Sequence, residues 1–231
     1  RLVPSVVTEV VEAAAEACRT LGVPLLGGET AEMPGVYVAD AYDVVGMMIG
    51  LAPAEGLITG SAIEPGDRLI GLASTGLHTN GYSLARRVLE EAGIGLDDRA
   101  PELQTTVGEA LLAPHRCYAP AVLSLLESVR AHGIAHITGG GLPDNLIRPL
   151  PQGCRARVRR AWPEPPVFAF LRRAGGIPEE EMVATFNLGI GMVVVTSARD
   201  ALPAIAHFEA QGIPAFAIGE IVQGSRGVEL T

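Results

Sequence analysis

The chain has 231 residues, a formal net charge of -9 and 48% hydrophobic residues, against only 19% charged. That suits one large domain, or one plus part of another, with ample apolar material for a core, and it excludes a disordered tail. With no basic stripe interleaved with aromatics and no apolar run long enough to span a bilayer, neither nucleic acid nor a membrane is an expected partner. Aromatics make up 4%, so the core must be aliphatic, while 28 glycines and 17 prolines imply many turns and several glycine-shaped loops. An acidic chain can still hold an anion locally, through backbone N–H groups, a few arginines or a metal ion.

In chain order, Val3 to Leu21 reads as a helix: Val6, Val7, Val10, Val11, Ala14, Ala17 and Cys18 recur at helical spacing and Gly22 ends it. Residues 23–26 read as a short strand feeding Gly27-Gly28-Glu29-Thr30. Residues 43–52 (DVVGMMIGLA) are apolar almost throughout, the pattern of a strand covered on both faces. A connector follows over 53–64, with a domain boundary expected near residues 53–62. Beyond it come a strand at 68–73, a polar loop at 74–81 and a helix at 82–92. Helices are expected at 106–112 and 118–132, and a short helix or turn at 144–150. Further helices fall at 166–174 and 179–184, then a strong strand at 187–196. A helix at 198–211 and a strand at 214–222 close the chain. The alternation makes the class α/β or α+β, with helices packed on a sheet.

Cys18, Cys117 and Cys154 are odd in number, far apart and without zinc spacing, so they read as reduced cytosolic thiols. His115, His132 and His207 have no chemical neighbours in sequence and read as surface residues. No Ser/His/Asp or Cys/His set suggests a covalent nucleophile, which fits phosphoryl transfer, where positioning and electrostatics carry catalysis.

Four motifs carry candidate chemistry. In GGETAEMPG (27–35), glycines let the backbone approach a ligand, Glu29 can hold Mg²⁺ beside phosphate oxygens, and Thr30 can donate to them; on chemistry alone an ordinary strand-to-turn junction with Glu29 as a solvated charge is the better reading, because Gly-Gly turns are common. In STGLHTNGYSLARR (74–87), a polar loop with His78, Thr79 and Asn80 precedes a helix whose first N–H groups face it, and Arg86 and Arg87 can neutralise phosphate; a capped helix start is the competing reading. HITGGGLPDN (136–145) offers loop amides to an anion, though it is neither a P-loop nor a dinucleotide fingerprint. In FNLGIGM (186–192), Asn187 can bind ligand or cap a turn, and Gly189 and Gly191 read best as a tightly packed strand.

Taken in this order, the four motifs resemble those of the aminoimidazole ribonucleotide (AIR) synthetase family, the phosphoribosylformylglycinamidine cyclo-ligases, with GGETAEMPG and HTNGYSLARR the most specific. Thiamine-monophosphate kinase, selenophosphate synthetase and a hydrogenase-maturation enzyme are wider relatives; they usually carry Gly-Asp-Thr where this chain has Gly-Glu-Thr. The resemblance implies ATP-dependent closure of the imidazole ring of formylglycinamidine ribonucleotide, releasing ADP and phosphate, in purine biosynthesis. It also implies a Mg²⁺ requirement, a cytoplasmic homodimer, and two domains: at 1–58 the C-terminal part of a dimerisation and ATP domain, and at 59–231 a complete mixed-sheet domain with packed helices. The site it implies has His78 and Asn80 as catalytic residues and Glu29 as metal ligand. Gly27, Gly28, Glu29, Thr30, Thr79, Gly81, Thr138, Gly139, Gly140, Gly141 and Asn187 would bind nucleotide or substrate. Members normally carry a further segment before the first helix, with an Asp-Gly-Val-Gly-Thr-Lys loop, whereas this sequence begins at Arg1. Another phosphotransferase of the superfamily, or an inactive ligand-binding fragment, is the alternative.

Overall fold

The computed structural model describes residues 2–38 and 41–231. The chain divides into two compact units, Arg1–Ala54 and Glu55–Thr231, each taken by itself below.

Among the described residues, the first unit holds one helix, α1 (Pro4–Leu21). Pro4 pre-sets the first turn, and Gly22 ends the helix in the left-handed conformation (φ 66°), its N–H returning to the Arg19 carbonyl. The strands expected at 23–26 and 43–52 are not formed. Val45, Met47 and Leu51 lie exposed instead of covered on both faces. A strand exists only through a ladder to a neighbour, and no described residue of this unit pairs with either segment. For the same lack of a packing surface, α1 buries none of its residues despite its apolar stripe.

The second unit is built on one mixed, curled sheet. Its strands are β1 (Arg68–Ala73), β2 (Ala131–His136), β3 (Cys154–Val158), β4 (Ile190–Thr196), β5 (Ala215–Gln223) and β6 (Gly227–Leu230), in the order β2-β4-β1-β5-β3-β6. All pairs are antiparallel except β3 with β6. The helices are α2 (Tyr82–Ala92), α3 (Val107–Leu111), α4 (Ala119–Leu125), α5 (Gly141–Leu146), α6 (Pro166–Gly175), α7 (Glu179–Thr185) and α8 (Ala201–Ala210).

Period-two alternation sorts the strands' side chains onto two faces. Leu69, Val193 and Val195 pack with Leu142 and Leu146 of α5. Ile70, Leu72 and Val194 pack with Val122 and Leu125 of α4 and Phe208 of α8. A third cluster, off the sheet, joins α2, α3, α6 and α7 around Phe168, Phe170 and Met182. Both faces of β1 and β4 are thus covered, which explains their continuous apolar runs.

The helix expected over 118–132 splits: α4 stops at Leu125, and Ala131, Gly133 and Ala135 pair with β4 as β2. Those small residues are buried while His132, Ile134 and His136 between and after them are more exposed, a period of two inside a stretch that also fits a helical template. Strand 187–196 begins only at Ile190, because Asn187, Leu188 and Gly189 form a turn with Leu188 at φ 47° and Gly189 at φ 104°. Two strands were not anticipated. In β3, Cys154, Ala156 and Val158 point inward while Arg155 and Arg157 point out, and β6 is a short edge strand beside it.

Candidate active site

Three loops at one end of the sheet bring the second unit's motifs together. The loop from β1 to α2 is pinned first. Asn187, 4% exposed, accepts from the Ser74 hydroxyl at 2.7 Å and from the Gly189 N–H at 2.9 Å, and donates to the Gly76 carbonyl at 2.8 Å. Its amide is therefore spent on holding the loop. A buried amide so engaged is costly to disturb, so Asn187 shapes the site from behind it.

Next, the chain turns sharply. His78 (φ 53°) and Thr79 (φ 61°) adopt the left-handed conformation in succession, followed by Gly81 (φ 77°). Each non-glycine residue there costs on the order of 1 kcal/mol and needs surrounding structure to hold it. The hold is visible. Asn80 Nδ2 donates to the His78 carbonyl at 2.7 Å, and Asn80 Oδ1 accepts from the Gly139 N–H at 3.2 Å. Asn80 thereby ties the β1–α2 loop to the glycine triplet.

Asn145, 1% exposed, frames that triplet, donating to the Gly141 carbonyl at 2.7 Å and accepting from the Thr138 hydroxyl at 3.0 Å. Gly140 (φ 93°) and Gly141 (φ 61°) take conformations that glycine adopts freely. The Gly139 N–H serves Asn80 and the Gly141 N–H serves the Thr138 carbonyl. The Gly140 N–H has no protein partner among the described residues. The first turn of α2 likewise carries no side-chain cap, so its opening N–H groups are also free.

His78 is 1% exposed. Its Nε2 accepts from the Thr75 N–H at 3.0 Å and the Arg116 N–H at 3.4 Å, which places the ring proton on Nδ1. Nδ1 itself has no partner. Burial, followed by the neighbouring His115, His136 and Arg116, lowers the His78 pKa from 6.5 to about 4. The sequence set His115 aside as a surface residue; the structure corrects this. His115 stacks on His78 with ring centroids 4.2 Å apart, and its Nε2 lies 3.3 Å from His136 Nε2. His132 and His207 are also engaged, with Asp67 at 2.7 Å and the Ser124 hydroxyl at 2.9 Å. His115 sits in the α3–α4 loop, 37 residues after His78, so only the fold could reveal the stack.

A depressed histidine pKa makes stability depend on pH. Between pH 6.5 and pH 4 the unfolded chain binds a proton at His78 that the folded chain does not. Stability from this group is therefore complete above pH 6.5 and drains away as pH falls toward 4. At about 1.4 kcal/mol per pH unit, the loss is roughly 3–4 kcal/mol across that window, about 2 kcal/mol of it by pH 5. Urea unfolding at pH 7.5 and pH 5 is expected to show this fall, flattened in His78→Gln. An equal fall in the variant would assign it elsewhere.

Gly27, Gly28, Glu29 and Thr30 lie in the first unit, exposed and outside regular structure, with Glu29 Oε1 accepting from the Thr30 N–H at 3.2 Å. No group of three or more His, Cys, Asp or Glu side chains converges among the described residues. Glu29 supplies a single carboxylate, which by itself does not make a Mg²⁺ site. The cysteines are all free thiols, and no helix among the described residues is long and apolar enough to cross a membrane.

The family profile of "AIR synthase related protein, C-terminal domain" matches residues 64–230, and that of the corresponding N-terminal domain matches residues 1–52. The chain is 46% identical to the phosphoribosylformylglycinamidine cyclo-ligase of Geobacillus thermodenitrificans over 233 aligned positions, covering 100% of this chain and 67% of that protein. It is 48% identical to the cyclo-ligase of Symbiobacterium thermophilum, covering 96% of this chain and 65% of that one. It thus spans about two thirds of the length of its curated relatives. The crystal structure of thiamine-monophosphate kinase from Stenotrophomonas maltophilia shares the fold, with a TM-score of 0.52 at 16% identity over 74% of this chain and 52% of that one. With two domain profiles and such identity along its whole length, the chain belongs to the phosphoribosylformylglycinamidine cyclo-ligase family, the AIR synthetases.

Proposed function

We propose that this protein closes the imidazole ring of aminoimidazole ribonucleotide from formylglycinamidine ribonucleotide, consuming ATP. The observation that carries the reading is the 46% identity to named cyclo-ligases across the whole chain. In this reaction the formyl oxygen takes the terminal phosphoryl group and ADP leaves. The amidine nitrogen then attacks the same carbon, the C–O bond to phosphate breaks, and a proton is lost. Holding both groups of one substrate in register makes the attack intramolecular, an advantage of several orders of magnitude in effective concentration.

The second unit suits such a ligand. The whole chain's 17 cationic side chains are all arginine, so charge neutralisation of phosphate falls to guanidinium groups and backbone amides. The free Gly140 N–H and the uncapped first turn of α2 lie on either side of the Asn80–Gly139 bond and can bind an anion without a lysine. Asn80 acts by joining the two loops, and Thr79 and Gly81 by setting the turn. Gly27, Gly28, Glu29 and Thr30 of the first unit belong to the nucleotide side of this reading. The same reading carries Mg²⁺ with the ATP, a homodimer, a cytoplasmic location and domains of 1–58 and 59–231.

The test is direct. Purified protein is given ATP, Mg²⁺ and formylglycinamidine ribonucleotide, and aminoimidazole ribonucleotide and ADP are quantified together. Stoichiometric formation of both is expected, with ADP release absent when the substrate is withheld. Asn80→Ala should lower kcat/KM on the order of 100-fold, the scale of a small misplacement of reacting groups. ADP without the imidazole product would refute the reading.

A further inference from the structure

The histidine row contains a direction. Thr79 Oγ1 has one proton, and it is donated to the His78 carbonyl at 2.6 Å. At 3.1 Å from His115 Nδ1, the same oxygen must therefore accept, which puts the His115 proton on Nδ1. His115 Nε2 is then a lone pair. Across 3.3 Å it faces His136 Nε2, which must be the donor. His136 is left with its lone pair on Nδ1, on a side chain open to solvent. His78 cannot serve as the base in this row, because its Nε2 already receives the Thr75 and Arg116 amides and its Nδ1 carries the proton.

We propose that His115 is a positioning residue which holds His136 in the Nε2–H tautomer, so that His136 Nδ1 takes the proton released when the ring closes. The inference rests on the cyclo-ligase reading above. In the step, the carbon–nitrogen bond forms, phosphate departs with the carbon–oxygen electron pair, and the amidine N–H proton passes to His136 Nδ1. The resulting imidazolium keeps its Nε2–H bonded to His115 and later yields the extra proton to solvent. The stack against His78 and the bond to Thr79 fix the His115 ring from the β1–α2 loop. Arg116 beside it, the Thr75 hydroxyl at 2.9 Å from His78 Nε2 and the Tyr118 ring, 6.0 Å from His78, are further polar groups packed on the row.

Burial lowers the pKa of His136, burial and then His136 lower that of His115, and burial with the neighbouring His115, His136 and Arg116 lowers that of His78 to about 4. His136 is therefore neutral at pH 7, as a base for the step must be.

Two measurements separate the pair from the reaction. Long-range ¹H–¹⁵N spectra of the histidine rings in the full chain at pH 7.5 are expected to show Nδ1–H for His78 and His115 and Nε2–H for His136. In His115→Phe, which keeps a ring for the stack but no acceptor, His136 should relax to a tautomer mixture. An Nδ1–H signal for His136 in the unmodified chain overturns the proposal whatever the activity. In kinetics, His136→Gln is expected to lose on the order of 100-fold in kcat. His115→Phe should lose about tenfold in kcat with KM little changed, its acidic limb moving down by about half a pH unit because the imidazolium has lost an acceptor. An unmoved limb in His115→Phe, or full activity in His136→Gln, contradicts the assignment. If the unmodified protein forms no imidazole product, the ring-closure reading and the base fall together, while the tautomer spectrum still judges the pair.

Discussion

Replacing Gly191 by alanine is expected to destabilise the second unit by about 3 kcal/mol and to lower kcat/KM on the order of 100-fold. Gly191 lies in β4 directly beneath the histidine row. A Cβ there would stand 2.2 Å from the Tyr118 hydroxyl and 2.8 Å from His78 Nδ1. Neither neighbour has room to retreat. The Tyr118 hydroxyl donates to the Ala73 carbonyl at 2.8 Å, and His78 is held by two backbone amides. Moving Tyr118 leaves a carbonyl of the β1 end unpaired, and moving His78 releases the tandem left-handed turn. Both losses are of the kind that cost 1–3 kcal/mol apiece in a buried setting. The double variant Gly191→Ala/Tyr118→Phe separates them: removing the hydroxyl relieves the closest contact, so part of the stability should return. Urea unfolding followed by circular dichroism, with kinetics on the same preparations, checks both numbers. A single variant of native stability would contradict the close packing.

Gly141→Ala is expected to be at least as damaging, with a loss of about 3–4 kcal/mol. The residue has φ 61°, and a Cβ would meet the Val183 backbone carbonyl oxygen at 1.8 Å. That oxygen belongs to α7, so a helix would have to move. The triplet supplies its own control. At Gly139 the backbone is not left-handed and the nearest atom to a Cβ is Asn80 Oδ1 at 4.0 Å, so Gly139→Ala should change stability by less than about 1 kcal/mol, the range of an ordinary tolerated substitution. Thermal unfolding of the two variants side by side tests the contrast. Equal losses would mean that the loop's flexibility, and not its fit against α7, is what glycine provides.

The two substitutions also show how far the sequence could be read. The spacing of Gly189 and Gly191 suggested two small residues on one strand face. Only Gly191 lies in the strand, and what it accommodates is a tyrosine and a histidine from elsewhere in the chain. The triplet at 139–141 reads as a demanding turn, yet nothing in three identical residues distinguishes Gly141 from Gly139. Residues 82–92 and 166–174 were legible as helices because each carries its own amphipathic period. Residues 43–52 were not legible, because an apolar run states only that a partner is needed, and a ladder is made by two segments. Residues 118–132 failed for a related reason: small residues such as Ala131, Gly133 and Ala135 satisfy either period, and pairing with β4 decided between them.

By itself the sequence determined the α/β class, most of the second unit's elements and, through the order of its four motifs, the family. These depend on local periodicity, on turn chemistry and on short strings of residues, all of which are contiguous in the chain. Tertiary structure alone decided that Asn187 faces inward to hold a loop, that Asn80 bridges to the glycine triplet, and that His115 joins His78 and His136. Those relations link residues 21 to 113 positions apart, and a hydrogen bond or a stacked ring depends on distance in space, which no spacing along the chain encodes.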